Sequence, residues 1–215
     1  MTLKVENLYA SIGDKEIIKG VSFTVNSGEC LLVTGQNGAG KSTLLHALMG
    51  RPDISLFGKV TLGETNLTDL ACHERARNGV FLAHQSPPAI DGVNTMTVFK
   101  EIQQAQNPNI KTGELIKQVK EIVGQLNLPE DWTKRQFNSG ASGGERKKNE
   151  LMQAELLKSQ IKLLLLDEPD SGLEQSSRQR IVDLISTARA NGSCVLLVTH
   201  DKELQEMFSS NKIEL

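Results

Sequence analysis

The sequence predicts an α/β fold in which a mostly parallel β-sheet is covered by helices on both faces. Three short apolar runs are continuous rather than alternating, as is typical of strands buried on both faces: residues 80–83, 163–166 and 195–198. A fourth run, residues 29–34, enters a glycine-rich loop, and residues 41–49 have the pattern of a helix that ends at Gly50. A strand, a glycine loop and a helix in succession indicate the first unit of such a sheet.

Two other regions of the chain differ from this core pattern. Residues 3–8, 16–25 and 58–62 have the spacing of short amphipathic strands, which predicts a small antiparallel β subdomain. Residues 87–156 are more polar and helical, with prolines and glycines between the helical stretches, so we expect an inserted helical lobe there. The predicted organisation is a single domain, with a core of residues 1–86 and 157–215 and a lobe of residues 87–156.

Length, charge and cysteine content limit the classes of protein to which this chain can belong. Its 215 residues suit one domain, and its formal net charge of -2 gives no basic footprint of the kind that nucleic-acid-binding proteins show. Its three cysteines are odd in number and far apart, which favours a reducing, cytoplasmic setting over a disulfide framework. No run approaches the roughly 18 apolar residues of a membrane span, so we expect any membrane contact to come through a partner.

The first glycine-rich loop has the pattern G-x-x-x-x-G-K-S over residues 35–42, and we call it the phosphate loop. Its glycines let backbone N–H groups curl around the phosphate oxygens of a nucleotide such as ATP. Lys41 is expected to neutralise the β- and γ-phosphates, and the Ser42 hydroxyl to reach Mg²⁺. Thr43 either supports the phosphates or is structural. The predicted nucleotide-binding residues of this loop are Gly35, Asn37, Gly38, Ala39, Gly40, Lys41, Ser42 and Thr43.

Two carboxylates, Asp167 and Glu168, follow the apolar run of residues 163–166. Ligands of open α/β sheets bind at the carboxyl ends of the strands, so both side chains are expected beside the phosphate loop. Asp167 would then join Ser42 in the Mg²⁺ shell, directly or through water, and Glu168 would orient or deprotonate the attacking water. The alternative is a strand end with two solvated acids.

Two more polar residues follow the other apolar runs. His200 comes after residues 195–198 and could contact the γ-phosphate and the attacking water, or it could be a structural histidine. Gln85 comes after residues 80–83, and its amide could bond a Mg²⁺-bound water and sense the γ-phosphate. An exposed turn glutamine is the alternative. The predicted catalytic residues are Glu168, His200 and Gln85, and the predicted metal ligands are Ser42, Gln85 and Asp167.

A second glycine-rich stretch, residues 139–145, precedes a helix predicted from about residue 145 to residue 158. Backbone N–H groups at a helix start form an anion site, which Ser142, Gly143 and Gly144 would supply here. Residues 146–148 are basic and lie in the first turn, where the helix dipole disfavours positive charge unless an anion lies outside. The alternative is a glycine loop followed by a solvated basic face.

Together these motifs resemble the ABC ATPase superfamily over nearly the whole chain. The motifs occur in the order residues 35–42, Gln85, residues 139–145, Asp167-Glu168, residues 171–174 and His200. The resemblance implies a P-loop NTPase (RecA-like) core, Mg²⁺-dependent ATP hydrolysis and a head-to-tail dimer. In that dimer, Ser142 and Gly144 of one protomer would face the phosphate held by Lys41 of the other, and isolated monomers would hydrolyse ATP slowly.

Within the superfamily, three segments are similar to the SufC family, the ATPases of the SUF iron–sulfur cluster assembly system. They are residues 142–150, with the character Ser-Gly-Gly-Glu-x-Lys-x-Asn, residues 167–173, and residues 85–93. The resemblance implies a soluble motor whose lobe binds a SufB- or SufD-like scaffold. Two alternatives remain open: the ATP-binding subunit of a membrane ABC transporter, and a nucleotide-gated clamp that binds ATP and barely hydrolyses it.

Overall fold

Five parallel strands form the central sheet of the computed structural model, which describes residues 1–172, 175–208 and 211–215. The strands of the protein are β1 (Leu3–Ile12), β2 (Lys15–Val25), β3 (Cys30–Thr34), β4 (Ile54–Leu62), β5 (Thr65–Asn66), β6 (Val80–Ala83), β7 (Ile90–Asn94), β8 (Gln136–Phe137), β9 (Leu163–Asp167), β10 (Cys194–Val198) and β11 (Asn211–Glu214). The helices are α1 (Lys41–Met49), α2 (Cys72–Arg77), α3 (Thr95–Gln106), α4 (Thr112–Gln125), α5 (Gly143–Leu157), α6 (Gln175–Ala190) and α7 (Lys202–Phe208), with a 3-10 turn at Trp132–Lys134.

The chain divides into two compact units. The first unit comprises Met1–His84, Ile161–Pro169 and Ile185–Leu215, and the second comprises Gln85–Gln160 and Asp170–Leu184. Residues 170–184, which the sequence analysis assigned to the core, therefore group with the helical unit. One reason is that Arg180 Nη2 donates to the carbonyl of Gln125 at the end of α4, at 3.0 Å.

The central sheet of the first unit has the order β11-β3-β10-β9-β6. Every residue of β9 and β10 is buried, as the continuous apolar runs predicted. Leu44, Leu45 and Leu48 of α1 are fully buried in the same core cluster as these strands. Each buried leucine side chain contributes about 2 kcal/mol of hydrophobic stabilisation. The helix that follows the phosphate loop is therefore fixed on the sheet, and the predicted α/β fold is confirmed.

A second sheet in the first unit is antiparallel, with the order β2-β1-β4-β5. It corresponds to the predicted antiparallel subdomain, although β1, β2 and β4 are each longer than the stretches expected from the sequence. β11, which was not predicted from the sequence, pairs with β3, the strand that enters the phosphate loop. Thr34 Oγ1 donates to the Ile213 carbonyl at 2.9 Å, which adds a side-chain bond to this pairing.

Arg75 of α2 joins the carboxyl end of α1 to the loop before α2. Its side chain is buried, with 3% exposed, and Nη1 donates to the carbonyls of Ala47 at 2.8 Å and Leu48 at 3.0 Å. Nε donates to the Leu70 carbonyl at 2.9 Å, and Nη2 to the Thr68 carbonyl at 3.0 Å. Carbonyls at a helix end lack intrahelical partners, so the guanidinium satisfies two of them and holds α1 from its far end.

The second unit has its own apolar core. Phe99, Leu115, Val119 and Met152 come from α3, α4 and α5 and are at most 2% exposed. Phe99 also meets Phe137 of β8 edge to face, with ring centroids 6.4 Å apart. A separate core lets this unit present its loops as one body. Among the residues that the structure describes, no helix is long and apolar enough to cross a lipid bilayer.

Candidate functional site

The phosphate loop turns from β3 into α1 through Gly40, in a backbone conformation that favours glycine. Gly40 precedes α1 with φ 102, in the left-handed region. A Cβ there would lie 2.8 Å from Ile18 Cδ1 and 2.9 Å from Ile17 Cγ2. The first turn of α1 begins with Lys41 and contains no acidic residue. Its backbone N–H groups and helix dipole therefore favour an anion at this end of the helix.

The positively charged side chain of Lys41 is hydrogen-bonded to the backbone of the phosphate loop. Its side chain is largely buried, with 9% exposed, and Nζ donates to the carbonyls of Gly35 at 2.9 Å and Gln36 at 3.0 Å. These bonds hold the ammonium group within the ring of loop backbone. A nucleotide phosphate in the loop would therefore meet a fixed cation together with the backbone N–H groups.

Ser42 and Asp167 come together at the end of β9. Ser42 Oγ donates to Asp167 Oδ1 at 3.1 Å, and Asp167 is fully buried. A buried carboxylate and a hydroxyl are hard oxygen donors, and Mg²⁺ binds through one or two such protein groups together with substrate phosphates and water. The donor chemistry of this pair therefore fits Mg²⁺. The sequence analysis predicted both residues as metal ligands.

Glu168 has an unusual backbone conformation. Its φ is 46, in the left-handed region that costs a non-glycine residue of order 1 kcal/mol, and its N–H donates to the Val198 carbonyl of β10 at 2.9 Å. His200 Nε2 lies 3.4 Å from Glu168 Oε1, and the two side chains are 58% and 21% exposed, respectively. The predicted general base and the predicted histidine are thus direct neighbours at the carboxyl ends of adjacent strands.

The first unit holds the other predicted residues of the phosphate loop as well. Asn37 and Gly38 are exposed, and Ala39 and Thr43 are half-buried. Leu173 and Glu174 of the motif at residues 171–174 lie outside the described residues. Gln85, predicted to act with this group, is an exposed residue at the start of the second unit.

Ser142, Gly143 and Gly144 lie at the start of α5, in the second unit. Ser142 Oγ accepts from the Glu145 N–H at 3.3 Å, and Glu145 Oε2 accepts from the Ser142 N–H at 2.8 Å, which completes a capping box. The bonds from Ser142 hold the pKa of the Glu145 carboxyl below its ordinary value. A Cβ at Gly144 would lie 3.1 Å from the Gly172 carbonyl oxygen, so backbone passes close to the start of the helix.

The basic run at residues 146–148 does not lie wholly on a solvated face, since Lys147 is buried and Arg146 and Lys148 are half-buried. The helix begins at Gly143, two residues before the predicted start. Lys147 is buried, with Nζ 3.9 Å from Glu150 Oε2, and Arg146 Nε donates to the Ala141 carbonyl at 3.1 Å. Local carboxylate and carbonyl groups thus offset these charges. Consecutive residues of a helix point in different directions, so Lys147 faces inward although it lies in a run of three basic residues.

Comparison with known proteins places this geometry in a family. The family model described as ABC transporter matches residues 18–171. A relative from Streptococcus pyogenes serotype M18, named "Probable ABC transporter ATP-binding protein", is 37% identical over 94% of this chain and 80% of its own length. A relative from Guillardia theta, named "Probable ATP-dependent transporter ycf16", is 32% identical over 94% of this chain and 81% of its own length.

A solved structure has the same fold. It is described as a dimeric, post-hydrolysis state of the ATP-binding cassette MJ0796 bound to ADP and Pi. It is 21% identical in sequence to this chain, covers 99% of this chain and 94% of its own, and superposes with a TM-score of 0.81. At that identity the likeness speaks for the fold. The family model and the relatives show the family: the chain belongs to the ABC transporter family, as an ATP-binding ABC ATPase.

Proposed function

We propose that this ATPase is the motor subunit of a cytoplasmic complex that assembles iron–sulfur clusters on a SufB/SufD-type scaffold. The observation that carries the proposal is the segment from Ser142 to Glu150. Of its distinguishing residues, Lys147 and Asn149 are buried and Glu145 is half-buried in the capping box, so they belong to the framework of the second unit. Because these framework residues resemble those of the SufC family, they favour a SufB- or SufD-like scaffold as the partner.

The mechanism of hydrolysis follows from the residues of the first unit. The phosphate loop and Lys41 bind the β- and γ-phosphates, with Lys41 Nζ held by the loop carbonyls. Ser42 and Asp167 would hold Mg²⁺, which supplies charge neutralisation for the phosphates when bound. Glu168 orients or deprotonates the attacking water, and His200, 3.4 Å away, contacts the γ-phosphate and the same water. The role of Gln85 as a sensor of the γ-phosphate stays a prediction.

The 139–145 loop acts on the nucleotide of a second copy in this proposal. The capping box occupies the N–H groups of Ser142 and Glu145, so Gly143 and Gly144 supply backbone donors at the helix start. In a head-to-tail dimer, these donors and Ser142 face the phosphates on the partner's loop. Each protomer alone then lacks half of each site and hydrolyses ATP slowly.

Co-purification tests the proposed partner. The tagged full-length chain is expressed in its source cell, and the proteins that it retains in Mg²⁺ and ATP are identified. The proposal predicts recovery of a soluble scaffold that carries iron–sulfur clusters. A Lys41→Ala chain serves as the control for nucleotide-dependent contacts. Recovery of a membrane-spanning subunit without any soluble scaffold contradicts the proposal.

A membrane transporter is the second candidate, because the names of both relatives describe transport. In that case the second unit would grip the cytoplasmic helix of a membrane protein, and the same co-purification would recover it. A nucleotide-gated clamp is the third candidate. Glu168→Gln separates a clamp from a motor, since we expect this variant of the assembled complex to lose hydrolysis, retain ATP and favour the dimer. Unchanged hydrolysis would refute the catalytic role of Glu168.

A further inference from the structure

Three buried side chains next to the 139–145 loop are linked by a chain of hydrogen bonds. Trp132 Nε1 donates to Asn149 Oδ1 at 2.6 Å, and Asn149 Nδ2 donates to Asn138 Oδ1 at 2.7 Å. Asn138 Nδ2 in turn donates to the Pro88 carbonyl at 2.7 Å. Trp132, Asn138 and Asn149 are 3%, 1% and 0% exposed. We call these four residues the asparagine relay.

The relay connects two segments that the proposed mechanism uses. Asn138 immediately precedes the 139–145 loop, and its carbonyl accepts from the Ala141 N–H at 3.4 Å, which begins the turn of that loop. Pro88 lies three residues after Gln85. Asn138 therefore joins the entry of the loop to the segment that follows Gln85. Asn149, on α5, bonds the other end of the same Asn138 side chain and so fixes its orientation.

Other contacts make the same connection rigid. β7, which follows Pro88, pairs with β8, which precedes Asn138, with Ile90 opposite Phe137. The Thr95 N–H donates to the Arg135 carbonyl at 2.9 Å. Asn138 itself has φ 60, a left-handed conformation that asparagine tolerates better than most residues. Because the two bonds of Asn149 are buried, losing either one leaves a buried polar group without its partner.

We propose that Asn149 is a positioning residue for ATP hydrolysis, which acts through Asn138 to hold the 139–145 loop and the segment after Gln85 as one piece. This inference rests on the proposed role of that loop at the partner's nucleotide. Asn149 touches neither nucleotide nor water in this account. Its effect is confined to hydrolysis, since the phosphate loop that binds ATP lies in the other unit.

Kinetics with a matched control test the proposal. Asn149→Leu removes the two relay bonds that Asn149 makes, whereas Gln103→Met removes another buried bond in the same unit, from Gln103 Nε2 to the Leu156 carbonyl. Both variants lose stability. We expect Asn149→Leu to lower kcat about tenfold or more while the Kd for MgATP changes less than about twofold, and Gln103→Met to leave kcat near that of the wild type. Equal losses of kcat in the two variants would overturn the proposal.

A spectroscopic readout tests the relay without reference to activity. The chain has one tryptophan, so its indole N–H gives a single resonance in a ¹H–¹⁵N spectrum. Asn138→Gly keeps the positive φ and removes the side chain next to Asn149. We expect this variant to shift the Trp132 indole resonance by more than a line width through Asn149. An unchanged resonance would contradict a connected relay.

A conservative variant covers the case in which Asn149→Leu does not fold. Trp132→Phe keeps an aromatic ring in the core and removes only the indole donor to Asn149. It should lower kcat in the same direction, with MgATP affinity retained, and normal kcat in this variant counts against the proposal. None of these readouts requires a scaffold, so failure of the proposed iron–sulfur partner and failure of the relay are distinguishable.

Discussion

At the scale of single residues, two adjacent carboxylates of the candidate site differ in burial and in backbone conformation. Asp167 is fully buried and bonded to Ser42, whereas Glu168, the next residue, is held in a left-handed conformation by the bond of its N–H to Val198. That conformation gives adjacent carboxylates different neighbours: a hydroxyl of the phosphate loop for one and His200 for the other. Two acids in one dipeptide can therefore serve different steps.

The backbone strain at Glu168 gives a prediction with a characteristic sign. At φ 46, a Cβ is strained and glycine is not, so Glu168→Gly should be more stable than Glu168→Ala by about 1 kcal/mol. The exposed Glu121 within α4 is the control, since there Ala should exceed Gly by about 1 kcal/mol. Urea unfolding of the four variants measures both differences. The same order of stability at the two positions would show that Glu168 is not strained.

Residue types and strand ends predicted which polar residues lie together at the strand ends of the first unit. Asp167, Glu168 and His200 were identified because parallel strands deliver their carboxyl ends to one edge of a sheet. The left-handed φ of Glu168 was not predicted, because it depends on a bond to the neighbouring strand rather than on local sequence. Asn149 was noted only as a family character, and its contact with Trp132 was not predicted, because the contact joins residues on different elements.

At the scale of elements, α1 and α5 present anion-binding starts that are supported differently. α1 is fixed on the sheet by its leucines and from its far end by Arg75. α5 is held by the capping box at its start and by Asn149 two turns further along. A helix start binds phosphate with precision only when the rest of the helix cannot shift. The supporting contacts therefore matter as much as the glycines.

The hydrogen bonds of Arg75 to the end of α1 predict a large effect of this residue on the free energy of unfolding, although it lies far from the phosphate loop. Arg75→Met removes four bonds to buried or half-buried carbonyls and should lower the free energy of unfolding by about 3 kcal/mol. Arg77→Met, on the exposed side of the same helix, should change it by less than about 0.5 kcal/mol. Chemical denaturation measures both values. Similar small changes in the two variants would mean that Arg75 does not anchor α1.

Sequence patterns did not predict the elements whose structure depends on contacts with residues far away in the chain. β9 and β10 were predicted because their burial on both faces leaves a continuous apolar run. β11 was missed because its residues are mostly exposed at the edge of the sheet, so it lacks such a run. The grouping of residues 170–184 with the second unit was also missed, since it depends on tertiary contacts such as that of Arg180 with Gln125.

At the scale of the whole molecule, the two units hold different parts of the proposed shared active centre. The first unit holds the phosphate loop, the predicted Mg²⁺ ligands and the predicted general base, and the second holds the start of α5. We propose that a head-to-tail pair of chains completes each centre with Lys41 from one copy and Gly143 from the other. A symmetric pair of this kind contains two identical composite sites.

Complementation between two inactive variants tests this claim most directly. Lys41→Ala disables one half of the site, and Gly143→Asp places a negative charge on the other half, where a Cβ meets no atom within 4 Å. Thermal melts first confirm that both variants fold. In a mixed pair, one site carries both defects and the other carries none.

The measurement is the ATPase rate of an equimolar mixture of these two variants at a concentration that favours pairing. Random mixing makes half of the pairs mixed, each with one intact site, so we predict recovery of about a quarter of the wild-type rate. Each variant alone should remain near background. A mixture that is no faster than the sum of the separate variants would contradict a shared site.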